Sequence, residues 1–265
     1  MKKFTTSSGV EIAYRVEGSG PWLTLSHSLA SNMSAWDFQM PVLTKHFKVL
    51  RFDTRGHGKS SAPIDPYALD DLAGDASELL QHLNIQKTHW LGLSMGGMIG
   101  QTLVLGYPNI FSSLVLADTT SRRPENAIQM WGERITKAKS QGMGAMVEST
   151  LTRWFSDEFR KNSPEVIKDI VSGIETTSIN GFAGCCAAIS HINTFDRLKE
   201  ITCPTLIMVG EQDHGTPPSM AIAMKEQMPS AEFHIIPNAG HISNVEQPAI
   251  FNQYLLSFYS QYNFI

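Results

Sequence analysis

The chain has 265 residues, 42% of them hydrophobic and 17% charged, with a formal net charge of −4. That length buries a sizeable core and suits one large domain with an inserted lid. The mild acidity excludes a strongly basic nucleic-acid binder and gives no reason to expect an anionic membrane as partner. No run approaches the roughly 20 apolar residues of a membrane span. Met1-Lys2-Lys3 is followed by no apolar stretch, so no signal peptide is read. Cys185, Cys186 and Cys203 form neither a disulfide framework nor a zinc pattern and are expected to be reduced thiols of a cytoplasmic protein.

Glu11 to Val16 alternates apolar and polar residues, which predicts an exposed antiparallel strand. Trp22 to Ser26 and Lys48 to Asp53 are short β-rich runs. Tyr67 to Leu83 places Leu69, Leu72, Ala73, Ala76, Leu79 and Leu80 at helical spacing. Thr88 to Leu91 reads as a buried strand and Met98 to Leu105 as a helix. Leu114 to Asp118 predicts the next strand. Ser121 to Asn193 breaks the alternation; it is rich in Met, Ala and Trp, contains no convincing strand, and is expected to be a helical lid. Pro204 to Gly210 is an almost continuous apolar run, as in a parallel strand covered on both faces. Ala231 to Ile236 predicts the last strand, and Gln247 to Ser260 a closing helix. The alternation predicts an α/β fold with a mostly parallel sheet and helices on both faces. Residues 1–120 and 194–265 would form its core, and residues 121–193 the lid.

Gly92-Leu93-Ser94-Met95-Gly96 lies between a predicted strand and a predicted helix. A serine flanked by glycines at that junction is the nucleophile-elbow pattern: the turn leaves no room for larger side chains and lifts the hydroxyl to the carboxyl edge of the sheet. Such a serine needs a histidine to take its proton and a carboxylate to orient that histidine. Asp213 follows the strand ending at Gly210, and His241 follows the last strand, so Ser94, Asp213 and His241 occur in the expected chain order. Glu211 and Asp118 are competing acids. His214 is too close to Asp213 in sequence to meet it side chain to side chain, and the remaining histidines lie in helices, within strands or in the lid. The expected oxyanion donors are the backbone N–H groups of Met95 and Leu29. No metal or organic cofactor is expected.

With these residues assembled, the chain resembles the α/β-hydrolase family over essentially its whole length. Asp53-Thr54-Arg55-Gly56-His57-Gly58-Lys59-Ser60 matches that family's D-x-R-G-x-G-x-S loop, in which Asp53 and Arg55 are expected to tie loops together. A narrower resemblance is to 3-oxoadipate enol-lactonases. It rests on Ser28-Leu29, Trp36-Asp37, Arg153-Trp154-Phe155 and Gly184-Cys185-Cys186-Ala187-Ala188-Ile189. It implies an eight-stranded α/β-hydrolase fold and opening of a small lactone through an acyl-enzyme on Ser94. A lactone of that kind carries a carboxylate, for which Arg134 and Arg153 are the candidate partners. Trp36, Trp131 and Trp154 are candidate pocket walls. The partner is then a small lactone or ester, with a homo-oligomer left open. The alternatives are an acyl-homoserine lactonase, a carboxylesterase or perhydrolase, and a ligand receptor of the same fold.

Overall fold

The computed structural model describes all 265 residues. Its eight strands are β1 (Lys2–Thr5), β2 (Glu11–Gly18), β3 (Trp22–Ser26), β4 (Lys48–Phe52), β5 (Thr88–Leu93), β6 (Phe111–Ala117), β7 (Thr205–Gly210) and β8 (Glu232–Ile236). They form one sheet in the order β1-β2-β4-β3-β5-β6-β7-β8. β2 pairs antiparallel with β1 and β4, and the remaining pairings are parallel. Every residue of β5 and β7 is buried, which is why these runs are mostly apolar and do not alternate. β1 is short, polar and largely exposed; no periodicity announces it, and it exists by laddering onto β2.

The helices of the sheet layer are α1 (Met40–Leu43), α2 (Leu69–His82) and α3 (Met95–Gly106). Five helices follow β6: α4 (Ala127–Gln141), α5 (Val147–Trp154), α6 (Asp157–Asn162), α7 (Pro164–Thr176) and α8 (Ile179–Ser190). No strand interrupts them. α9 (Pro218–Gln227), α10 (Ser243–Glu246) and α11 (Pro248–Gln261) complete the chain. None of these helices is long and apolar enough to cross a membrane. α3 begins three residues earlier than Met98, directly after Ser94. Its first turn holds Gly96, where an added Cβ would lie 2.0 Å from the Ser26 carbonyl oxygen. The glycine therefore lets the helix press against β3, a packing that apolar periodicity does not reveal.

The loop after β3 is held by two buried histidines. The His27 Nδ1–H donates to the Ser28 carbonyl at 2.7 Å, and its Nε2 accepts from the Thr54 N–H at 3.0 Å. The His57 Nε2 accepts from the Ala30 N–H at 2.9 Å, and its Nδ1–H donates to the Arg55 carbonyl at 3.2 Å. Ala30 is thereby kept at a left-handed φ of 55°. The Asp53 carboxylate accepts from the N–H groups of Met33 and Lys59, both at 2.8 Å. Arg55 forms two 2.6 Å bonds to Asp75 on α2, both groups being buried. The D-x-R-G-x-G-x-S segment thus ties the loop after β3 to the helix layer.

Removing the carboxylate from the Arg55–Asp75 pair would leave a buried guanidinium uncompensated. Asp75→Asn is expected to lower the unfolding free energy by about 3–5 kcal/mol in urea titrations. Burial, joined for His57 by the nearby His27 ring, holds these imidazoles down to about 4 for His27 and about 3 for His57, against 6.5. The unfolded chain therefore takes up their protons first as pH falls below 6.5, and each costs the folded state up to about 1.4 kcal/mol per pH unit. Stability is expected to fall between pH 6.5 and 4.5, and His57→Gln to flatten that slope by up to about 1.4 kcal/mol per unit.

Candidate active site

Ser94 stands at the carboxyl end of β5 with φ 52° and ψ −112°, a conformation L residues rarely adopt. An added Cβ at Gly92 would meet the Gly96 carbonyl oxygen at 2.2 Å, so the turn closes only with glycine there. The Ser94 N–H donates to the Ala117 carbonyl at 2.8 Å, and Thr119 Oγ1 donates to the Ser94 carbonyl at 2.7 Å. The elbow is thereby braced against the end of β6.

Asp213 lies just beyond β7, and His241 between β8 and α10. Ser94, Asp213 and His241 are all buried. His241 Nε2 is 2.8 Å from Ser94 Oγ, and His241 Nδ1 is 2.8 Å from Asp213 Oδ2. Asp213 also accepts from the N–H groups of Gly215 at 2.6 Å and Thr216 at 2.8 Å, and from the Thr216 hydroxyl at 2.8 Å. Burial pushes its carboxyl up, but His241 and these donors outweigh burial and hold it below the usual carboxylate range. An ionised Asp213 can only accept, so Nδ1 carries the imidazole proton and Nε2 presents a lone pair to the Ser94 hydroxyl. The arrangement can make that hydroxyl a nucleophile.

The competing acids lie elsewhere. Asp118, at the end of β6, accepts from the Gly210 N–H at 2.8 Å and the Ser243 hydroxyl at 2.5 Å. Burial and the neighbouring Asp213 charge raise its pKa well above the carboxylate range. Glu211 accepts from the Asn238 N–H at 3.1 Å on the exposed side. His214 is exposed. Thr216, which sequence reasoning missed, is a donor to the acid; a hydroxyl three residues after an aspartate was the available signal.

Leu29 and Met95 flank Ser94. Met95 is the first residue of α3, where backbone N–H groups have no acceptor inside the helix. The Leu29 N–H donates to no group of the chain. Both are free to meet an oxyanion at the Ser94 side of the cavity.

Ser94 and His241 open into a small cavity of about 40 Å³. The loop after β3 supplies Leu29 and Ala30 to its wall, α4 supplies Trp131 and Arg134, α5 supplies Thr150, Arg153 and Trp154, and α8 supplies Phe182 and Ile189. The helices between β6 and β7 thus close the site from above. Arg134 donates to Thr150 Oγ1 at 3.2 Å, and its Nε has no partner. Arg153 donates to the Gly215 carbonyl at 3.1 Å. Their guanidinium carbons lie 5.7 and 5.3 Å from the centre of the Trp131 ring. Neither arginine has a carboxylate partner. Burial lowers both pKa values, and Arg134 further lowers that of Arg153.

Trp36 corrects an expectation. It does not line the cavity; it is fully buried, its ring centre 6.4 Å from that of Phe251 on α11. The reason is the 3-10 turn Met33–Trp36, which rolls the indole into the core under the loop. The sequence neighbourhood placed it near the oxyanion loop, but not on the side facing substrate.

The family profile described as alpha/beta hydrolase fold matches residues 21–248. The chain is 33% identical to 3-oxoadipate enol-lactonase 2 of Acinetobacter baylyi, over 99% of this chain and 98% of that one. Among solved structures, the enol-lactonase from Burkholderia xenovorans LB400 superposes with a TM-score of 0.94 at 32% identity, over 98% of this chain and 100% of that chain. A hydrolase from Pseudomonas aeruginosa PA01 superposes with a TM-score of 0.93 at 37% identity, over 97% of each chain. The chain belongs to the α/β-hydrolase family.

Proposed function

We propose that the protein is a serine hydrolase that opens a small carboxylate-bearing lactone, 3-oxoadipate enol-lactone foremost, through an acyl-enzyme on Ser94. One observation carries this reading: a hydroxyl in line with His241 and Asp213 shares its cavity with two half-buried arginines that have no carboxylate partner. Burying a cation without a counter-charge is costly, and a substrate carboxylate would relieve that cost at Arg134 and Arg153. The relatives named enol-lactonase support the same substrate class.

In the first step Ser94 Oγ attacks the lactone carbonyl as His241 Nε2 takes its proton. The carbonyl oxygen becomes an oxyanion held by the N–H groups of Leu29 and Met95. Asp213 stabilises the imidazolium. Collapse breaks the ring C–O bond, and the imidazolium returns its proton to the departing oxygen. Water, deprotonated by His241, then attacks the ester on Ser94 and releases the open-chain acid. Trp131, stacked beside both guanidinium groups, shields the carboxylate site from solvent. The three free thiols suit a reducing, cytoplasmic setting.

A second reading is favoured by a groove lined by Phe38, Phe155, Val166, Ile170 and Val245 that shares Ser28, Ala30 and Trp154 with the cavity. It would take the apolar chain of an ester or acyl lactone. A spectrophotometric series of the enol-lactone, acyl-homoserine lactones and 4-nitrophenyl esters separates the two. Turnover of the long-chain substrates alone would reject the enol-lactone.

Ser94→Ala is expected to lower kcat by about 10⁴–10⁶ without loss of folding, and adding His241→Ala to it to cost little more, because the residues act as a unit. Arg134→Met is expected to reduce the ratio of kcat/KM for the enol-lactone over 4-nitrophenyl acetate about 10- to 100-fold, the effect of losing a charge-assisted hydrogen bond. An unchanged ratio would remove Arg134 from substrate recognition.

A further inference from the structure

α10 is only four residues long, yet three of its side chains anchor the loop that carries His241 in three directions. The Ser243 hydroxyl donates to Asp118, at the end of β6. The Asn244 amide donates to the Ala35 carbonyl at 2.7 Å and to Gln39 Oε1 at 3.0 Å, reaching the segment beyond the oxyanion loop. These two contacts fasten the loop to the core. Glu246 points the other way. Its Oε2 accepts from the Gly240 N–H at 2.8 Å, immediately before His241. Its Oε1 accepts from the Ser156 N–H at 3.1 Å and from the Ser156 hydroxyl. Ser156 caps α6 in the helical segment over the site, its Oγ accepting from the Phe159 N–H at 3.1 Å.

The backbone reinforces this bridge. The Ile242 N–H donates to the Trp154 carbonyl at 3.3 Å. At Gly240 an added Cβ would lie 2.5 Å from that same carbonyl oxygen, so the two segments touch without an intervening side chain. Ile242 is thereby bonded to Trp154 directly and Gly240 is linked to Ser156 through Glu246, and Trp154 also lines the cavity. Glu246 is 6% exposed, and it engages no cation of the chain, so its carboxylate serves these three donors alone.

We propose that Glu246 is a positioning residue that couples the helical cover to the general base, seating the His241 imidazole against Ser94 only when the 154–156 segment is docked. Glu246 does not touch substrate; it acts through Gly240 and His241. A cover that lifts would draw on the Gly240 N–H and Trp154 carbonyl contacts and move the imidazole off the Ser94 hydroxyl. The nucleophile is then activated only in the closed, water-poor cavity. A displacement of about 1 Å at such a base costs on the order of 100-fold in rate.

The test reads base function apart from substrate recognition. An alkyl fluorophosphonate reacts with Ser94 by forming the Oγ–P bond and expelling fluoride, with the serine proton passing to His241. Its labelling rate is measured in the wild type, Glu246→Gln, Glu246→Ala and Ser156→Ala, beside kcat and KM for 4-nitrophenyl acetate and thermal melting. Glu246→Ala is expected to slow labelling and kcat on the order of 10- to 100-fold, with KM changed less than about threefold. Glu246→Gln keeps an acceptor for one of its two sides and is expected to fall between Ala and wild type. Ser156→Ala removes one of the three donors to Glu246, together with the α6 cap, and is expected to lose least. Where Glu246→Ala fails to fold, Glu246→Gln and Ser156→Ala carry the comparison. Folded Glu246→Gln and Ser156→Ala that label within twofold of wild type, or losses confined to KM, would overturn the coupling alone. The proposal rests on Ser94 as nucleophile, so a wild type that the probe leaves unlabelled would overturn that reading and the coupling together.

Discussion

The site depends on a backbone conformation that the residue occupying it would not choose. Ser94 sits at a positive φ, a strain of about 1–3 kcal/mol that persists only where its surroundings over-determine it. They do so from three sides. The fully buried β5 fixes the chain before it, α3 begins at once after it, and the end of β6 holds both its N–H and its carbonyl. Gly92 and Gly96 let these elements approach until no side chain fits between them. The exposed hydroxyl is therefore a property of the sheet as a whole, since each brace arises from a different strand or helix.

Around that elbow the polar groups fall into two kinds. Asp213, Asp118, His27 and His57 are saturated by hydrogen bonds within the chain. Each fixes a loop at the carboxyl edge, Asp213 also orienting His241, and none retains capacity for a ligand. Arg134, Arg153 and the N–H groups of Leu29 and Met95 remain underused. A folded chain tolerates few such groups, and Leu29, Arg134 and Arg153 all border the cavity that Ser94 opens into. The contrast also explains why Asp118, close to Asp213, does not compete for His241. Its oxygens are committed to Gly210 and Ser243.

The helical segment between β6 and β7 is more than a cover. Its α4 and α5 carry both arginines, and the turn at residues 153–156 touches the loops of Asp213 and His241, through Arg153 to Gly215 and through Trp154 and Ser156 to the His241 loop. The proposed roles in substrate recognition and base placement therefore fall on one short stretch of chain.

Much of this was legible in residue order. The apolar runs of β5 and β7, the helical spacing of α2 and the glycines about Ser94 are local patterns, so the strand-helix alternation and the order Ser94, Asp213, His241 followed from them. Chain position also placed Arg134, Arg153 and Trp154 in the helical segment. What residue order did not contain is direction. Trp36 and Trp154 look alike in sequence, yet a 3-10 turn rolls one into the core while the end of α5 presents the other to the cavity. β1 has no periodic signal because its stability comes from its neighbour. The Arg153–Gly215 contact and the Glu246–Ser156 bridge depend on groups 62 and 90 residues apart meeting within hydrogen-bond distance. Local composition specifies which elements form, because burial and backbone geometry act over a few residues. Only packing in three dimensions decides which polar groups find partners inside the chain and which are left for a ligand.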